Sequence, residues 1–477
     1  MASLKTTFSK KSIQSIMPEI VARIVSRTRG SRVLQILIVA AVIVLGVGIG
    51  TLISSYLHST PRVTLTESYD AESARNVTPT NTTDSFIASL QTRLTRNPSD
   101  WQGNEYLGIA YMQKARETGD PGYYGKADEL LHRALSLKPD DFGAMSALGA
   151  LALSRHQFRE ALEWGERAKT ITPFNPHNYG VIGDAQIELG MYDEATQTIQ
   201  TMINQRPDLS SYSRVSYVRE LHGDLDGAIA AMQQAVTAGG PNAENTNWVR
   251  VQLGNLYFNR GQLEQAEQQY QAALANYPNY VYALAALGRL RAAQGKNDEA
   301  VEYYTQAIGI IPLPQYVIEL GDLYTMIGKS SDAARMYDLV RFEQDLYQKN
   351  GVDVDMELAL FDADHSQNLD GALTQARAAY SKRPSIHAAD VLAWTLYRTA
   401  NYAEAQKYSR EALRLGTQDP LLFFHAAMIA YKLGDDATAK DYLDKAILLN
   451  PHFSILYSDA AQQWLAALRA GQHPDVK

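Results

Sequence analysis

The sequence contains no cysteine. Disulfides, thiol nucleophiles and thiolate-held metals are thereby excluded, and the redox compartment is left open. Catalytic signatures are missing too. No G-x-x-x-x-G-K-[ST], H-E-x-x-H or G-x-S-x-G string occurs, and none of the ten histidines pairs with another at i, i+4. No enzyme class is indicated, and no cofactor or metal is expected. One near miss is "DADHSQNLDGA", where Asp362, Asp364, Ser366, Asn368 and Asp370 alternate as calcium ligands do. Gln367 replaces the turn glycine and Leu373 stands where a bidentate glutamate belongs, so it reads as a solvated polar turn.

Basic charge is scarce after the first segment. Residues 1–32 hold seven Lys/Arg against one acid, a net of +6, and 33–57 hold no charge. The whole chain carries −8, so the remainder carries −14, which argues against a nucleic-acid partner there. Val33–Leu57, "VLQILIVAAVIVLGVGIGTLISSYL", is a long uncharged and largely apolar run. As a helix it would span about 37 Å, enough to cross roughly 30 Å of hydrocarbon with some tilt. It is longer than the apolar core of a cleaved signal, so an uncleaved single-pass anchor is expected. The basic leader then keeps residues 1–32 in the cytoplasm and exports the rest of the chain beyond the anchor. Gly46 and Gly50 form a small-residue step suited to weak helix dimerisation in the membrane. Residues 58–82 are Ser/Thr-rich and aperiodic, a flexible linker.

From residue 101 the chain registers on one alanine per unit: Ala127, Ala161, Ala195, Ala228, Ala266, Ala300, Ala333, Ala372, Ala405 and Ala439. Seven of its nine steps are 33 or 34 residues. Glycine stands five residues before the alanine in seven units, and proline twelve after it in seven. The glycine ends a first helix in a left-handed conformation, and the proline ends a second. Apolar residues between them recur at i, i+3, i+4 and i+7. One such hairpin cannot bury its own apolar face but a stack of them can, which explains the repetition. The step lengthens at 237–247 and 340–355, where a longer second helix and a loop are expected. A helix is expected before the first unit at 85–98, and a capping helix after the last at 453–471.

"LGNLY…A…Y…A…P", through Leu253, Gly254, Tyr257, Ala266, Tyr270, Ala273 and Pro278, resembles the tetratricopeptide repeat family. The resemblance covers about 101–451 within a domain drawn at 83–471. It implies an all-α fold, a right-handed superhelix of about ten helix hairpins. It also implies that first-helix residues near the L-G glycine line a concave groove. Carried onto this chain, those positions include Asp184, then Trp248, Asn255 and Phe258, then Tyr282 and Arg289, then Trp394 and Tyr397. Aromatic rings beside Asn and Arg suit an extended peptide. The expected function is a non-catalytic, membrane-anchored scaffold that binds a partner protein or peptide outside the cytoplasm. The alternative is an enzyme or sugar-binding protein of the cell envelope built on the same repeat.

Overall fold

The computed structural model describes residues 83–240 and 244–473. The tail, anchor and linker expected at 1–32, 33–57 and 58–82, with Gly46 and Gly50, lie outside them. Among the described residues no helix is long and apolar enough to cross a membrane.

The described residues form helices in tandem, with no strand among them. Hairpin one pairs Trp101–Thr118 with Gly122–Leu137, two Phe142–Ser154 with Phe158–Ile171, and three Pro176–Glu188 with Tyr192–Gln205. Hairpin four pairs Leu209–Leu221 with Leu225–Ala238, five Glu244–Asn259 with Leu263–Asn276, and six Val281–Ala293 with Asn297–Ile310. Hairpin seven pairs Pro314–Met326 with Ser330–Lys349, and eight Asp355–Asp364 with Leu369–Lys382. Hairpins nine and ten pair Ile386–Arg398 with Tyr402–Ala412 and Pro420–Lys432 with Asp436–Leu449. Thr83–Arg96 precedes the first, and Ser458–Arg469 follows the last. The second helix of hairpin seven is the lengthened one, at 20 residues.

All ten register alanines are buried, nine of them at 0% exposure. The L-G glycine makes room for a ring from the second helix of its hairpin. A Cβ on Gly254 would meet Tyr270 Cε1 at 2.3 Å. The ring passes across the glycine, and its hydroxyl donates to Asn255 Oδ1 at 2.9 Å on the first helix. Tyr304 and Tyr337 repeat the arrangement, donating to Glu319 at 2.8 Å and Asp322 at 2.9 Å. Small residue and ring together thus carry a second-helix hydroxyl to first-helix polar groups.

The array also touches itself at long range, each early hairpin meeting the chain at or beside a junction five or six units on. At hairpin one, the Tyr347 hydroxyl donates to the Gly119 carbonyl at 3.3 Å, and Ile311 abuts the turn. At hairpin two, the Arg155 carbonyl accepts the Asp353 N–H at 2.9 Å. At hairpin three, Tyr192 Oη accepts the Ile386 N–H at 2.8 Å. At hairpin four, the Thr417 hydroxyl donates to the Leu221 carbonyl. At hairpin five, Asn450 Nδ2 donates to the Phe258 carbonyl at 2.9 Å. Turn glycines at positive φ therefore divide into two kinds. Gly190 lies against Pro384, whereas Gly295 has nothing within 4 Å of its would-be Cβ.

The closing helix begins at Ser458, not at the expected 453. Residues 451–457 form irregular turns. The Ser454 carbonyl accepts the Ser458 N–H at 3.2 Å, and the Ser454 hydroxyl accepts the N–H groups of Leu456 and Tyr457. Local side-chain bonding satisfies a backbone that would otherwise have formed a helical turn.

Candidate functional site

The residue after the L-G glycine points from one hairpin to the next, and these residues form a polar stripe. Arg214 grips Asp184 with two bonds, of 2.8 and 2.6 Å. Arg289 Nη2 donates to Asn255 Oδ1 at 2.8 Å. His365 Nε2 lies 2.8 Å from Asp322 Oδ1. Each pair ties successive first helices together, or one first helix to the turn of the next hairpin.

Arg289 is the centre of the stripe. Its guanidinium carbon sits 4.7 Å from the centre of the Phe258 ring. Its Nε has no hydrogen-bond partner. Burial disfavours the charge, but Tyr270, Glu319 and Tyr304 outweigh it and hold Arg289 above its ordinary pKa. Glu319, on the next first helix, is pushed up by burial against the pull of Arg289 and of the Tyr304 and Gln315 hydrogen bonds. A cleft of about 280 Å³ opens here. Arg289, Glu319, Asp322 and Met326 form one wall and His452–Ile455 the other.

The structure brings Asn255, Phe258 and Arg289 into mutual contact. Tyr282, half-buried, packs on the same apolar cluster as Phe258. Trp248 stands 40% exposed earlier on the helix that carries Asn255. Trp394 and Tyr397 belong to a different cluster, built from hairpins eight to ten and the closing helix. The assignment of Phe258, Trp394 and Tyr397 to peptide contact needs correction. They are 1%, 1% and 6% exposed, so none offers a free ring face. Phe258 lies under Arg289, while Trp394 is sandwiched between His425 at 4.1 Å and Tyr397 at 4.8 Å. Sequence spacing assigns a residue to the correct helix but does not say which later segment covers it.

Glu319, Asp322 and Met326 were missed. A signal for one of them exists, because Asp322 stands one residue after Gly321, the offset at which Asn255 follows Gly254 and Arg289 follows Gly288. The near-calcium turn is spent on packing: Arg341 pairs with Asp362, and Asp364 accepts Trp394 Nε1 at 2.8 Å. Among the described residues no group of three or more His, Asp or Glu is placed to hold a metal.

Family models described as tetratricopeptide repeat match residues 115–176, 251–313, 385–418 and 422–453. The chain carries tetratricopeptide repeats. It is 25% identical over 246 residues to Protein CTR9 homolog of Arabidopsis thaliana, covering 50% of this chain and 22% of that protein. It is 26% identical over 240 residues to Cellulose synthase operon protein C of Pseudomonas fluorescens (strain SBW25), covering 48% and 18%. The matched part is thus about a fifth of the length of these relatives. Among solved structures, a thermophilic tetratricopeptide repeat protein of Thermus thermophilus is 24% identical, with a TM-score of 0.35, over 44% of this chain and 99% of that one. Hairpins two, six and nine thus lie within matched segments and hairpins one, five and ten partly so, and the cleft joins hairpin six to hairpin seven.

Proposed function

We propose that this chain is a non-catalytic interaction scaffold whose concave face, centred on Arg289, holds a segment of a partner protein. A tetratricopeptide repeat scaffold fits protein–protein interaction. The observation that carries the reading is Arg289 itself. Its guanidinium is held in place by Asn255 and Phe258 and lines a cleft shared with Glu319 and Asp322. A guanidinium already fixed in place binds a carbonyl or carboxylate with little ordering cost. The buried His–Asp pairs serve packing in this reading, since His425 is 1% exposed and stacked on Trp394.

Arg289→Met keeps much of the stem over Phe258 and removes the donor. Full-length chain with this change should lose about tenfold in affinity for the crosslinked partner, or roughly 1.4 kcal/mol. The measurement is quantitative crosslinking from the native membrane, with crosslink sites mapped. Unchanged capture, with crosslinks confined to second helices, sinks the reading.

Membrane anchoring through 33–57, with the repeats outside the cytoplasm, is the second half of the proposal and rests on the +6 leader. A reporter active only outside the cytoplasm, fused after Gly471, is expected to be active. A silent external reporter beside an active cytoplasmic one reverses the topology.

A further inference from the structure

The segment between the last hairpin and the closing helix lies where a bound peptide would. The Phe453 ring centre is 5.7 Å from that of Phe424 in hairpin ten. Tyr457 stacks on Phe424 at 4.9 Å and meets the edge of Trp394, in hairpin nine, at 5.7 Å. Its hydroxyl donates to Asp364 Oδ1 of hairpin eight at 2.8 Å, the oxygen that also accepts Trp394 Nε1. Ile455 packs on the apolar cluster of hairpins six and seven, with Leu284 and Leu320. Three alternate side chains therefore engage five successive hairpins.

Two further features separate this segment from a fixed part of the core. Hydrogen bonds from its own backbone N–H groups run to Ser454, Ser458 and Asn450, within the segment or beside it. Leaving the face therefore costs those N–H groups no bond to the array. The cleft beside Arg289 is walled on one side by the segment itself, which gives an incoming chain a place to begin.

We propose that residues 452–457 occupy the concave face as a built-in ligand, and that a partner binds by displacing them. The partner class follows from what it must replace: a segment with two aromatic side chains flanking an aliphatic one at alternate positions, its second aromatic carrying a hydroxyl for Asp364. This inference rests on the scaffold reading above and specifies its ligand. An intramolecular competitor lowers apparent affinity by the fraction of molecules in which the face is open.

The probe is a synthetic peptide of residues 451–458, PHFSILYS, tested in trans against the full chain. The triple change Phe453→Ser, Ile455→Ser and Tyr457→Ser opens the face. The peptide should bind it about tenfold tighter than the native chain, and adding Asp364→Asn should weaken that binding. Equal binding to native and triple-variant chains, or none to either at native helical content, overturns the proposal. Should the triple variant not fold, Tyr457→Phe keeps the ring and removes only the Asp364 bond. It should raise peptide affinity several-fold, and an unchanged affinity overturns the proposal equally. Failure here with Arg289→Met still reducing partner capture removes only the built-in ligand, whereas silence in both experiments removes the scaffold reading as well.

Discussion

Glu343 shows how much a single side chain in this array can cost. It is 4% exposed, and neither carboxylate oxygen has a hydrogen-bond partner. Burial pushes its pKa up to about 8 from 4.5. Between those values the folded chain keeps a proton that the unfolded chain has released. This group's contribution is therefore best at acid pH and is lost as pH rises toward 8, by up to about 1.4 kcal/mol per pH unit. Glu105, 6% exposed, is also raised to about 8 by burial and by Asp141, and adds a slope of its own. Glu343→Gln should therefore flatten the fall in stability between pH 5 and pH 8 without abolishing it, read from urea midpoints at both pH values. A slope identical to that of the native chain would mean the carboxyl is charged and solvated. Nothing in the sequence marks Glu343. It lies in a helix with polar and charged neighbours.

At the level of the hairpin, the repeat register was legible because it is made of steric necessities. An alanine at 0% exposure and a glycine beneath a tyrosine ring allow no larger side chain, so they recur where helices touch. The turn glycines read alike in sequence but not in space. Gly190 has φ 73° and a would-be Cβ 2.3 Å from the Pro384 carbonyl oxygen, while Gly295 has φ 71° and open space. Gly295→Ala should cost the left-handed penalty alone, roughly 1–2 kcal/mol. Gly190→Ala adds a collision with backbone and should cost at least about 1 kcal/mol more. Denaturant titration of the two variants side by side measures the difference, and equal losses would mean that the contact to Pro384 carries no weight. Hairpin two manages the same turn with His156 at φ 57°, whose ring nitrogen lies 2.8 Å from the Asp353 carbonyl oxygen.

On the scale of the described array, the features that escaped the sequence are those that depend on accumulated rotation. Each hairpin turns slightly on the last, and only the sum of several such turns brings hairpin five against the end of hairpin ten. No local pattern encodes that sum, so the sequence carries no sign that the Phe258 carbonyl meets Asn450, 192 residues on. The same limit hid the crossing of Tyr457 to Asp364, 93 residues away. Repeat arrays whose units touch only their neighbours fray from the ends, and their stability is a sum of unit and interface terms. Here hairpins one to five are each fastened to a junction some two hundred residues later, so a terminal hairpin cannot peel away without stripping a distant one. That makes melting a collective event for a chain whose sequence reads as a row of separable parts, and it defers part of the early hairpins' stability until the last have folded.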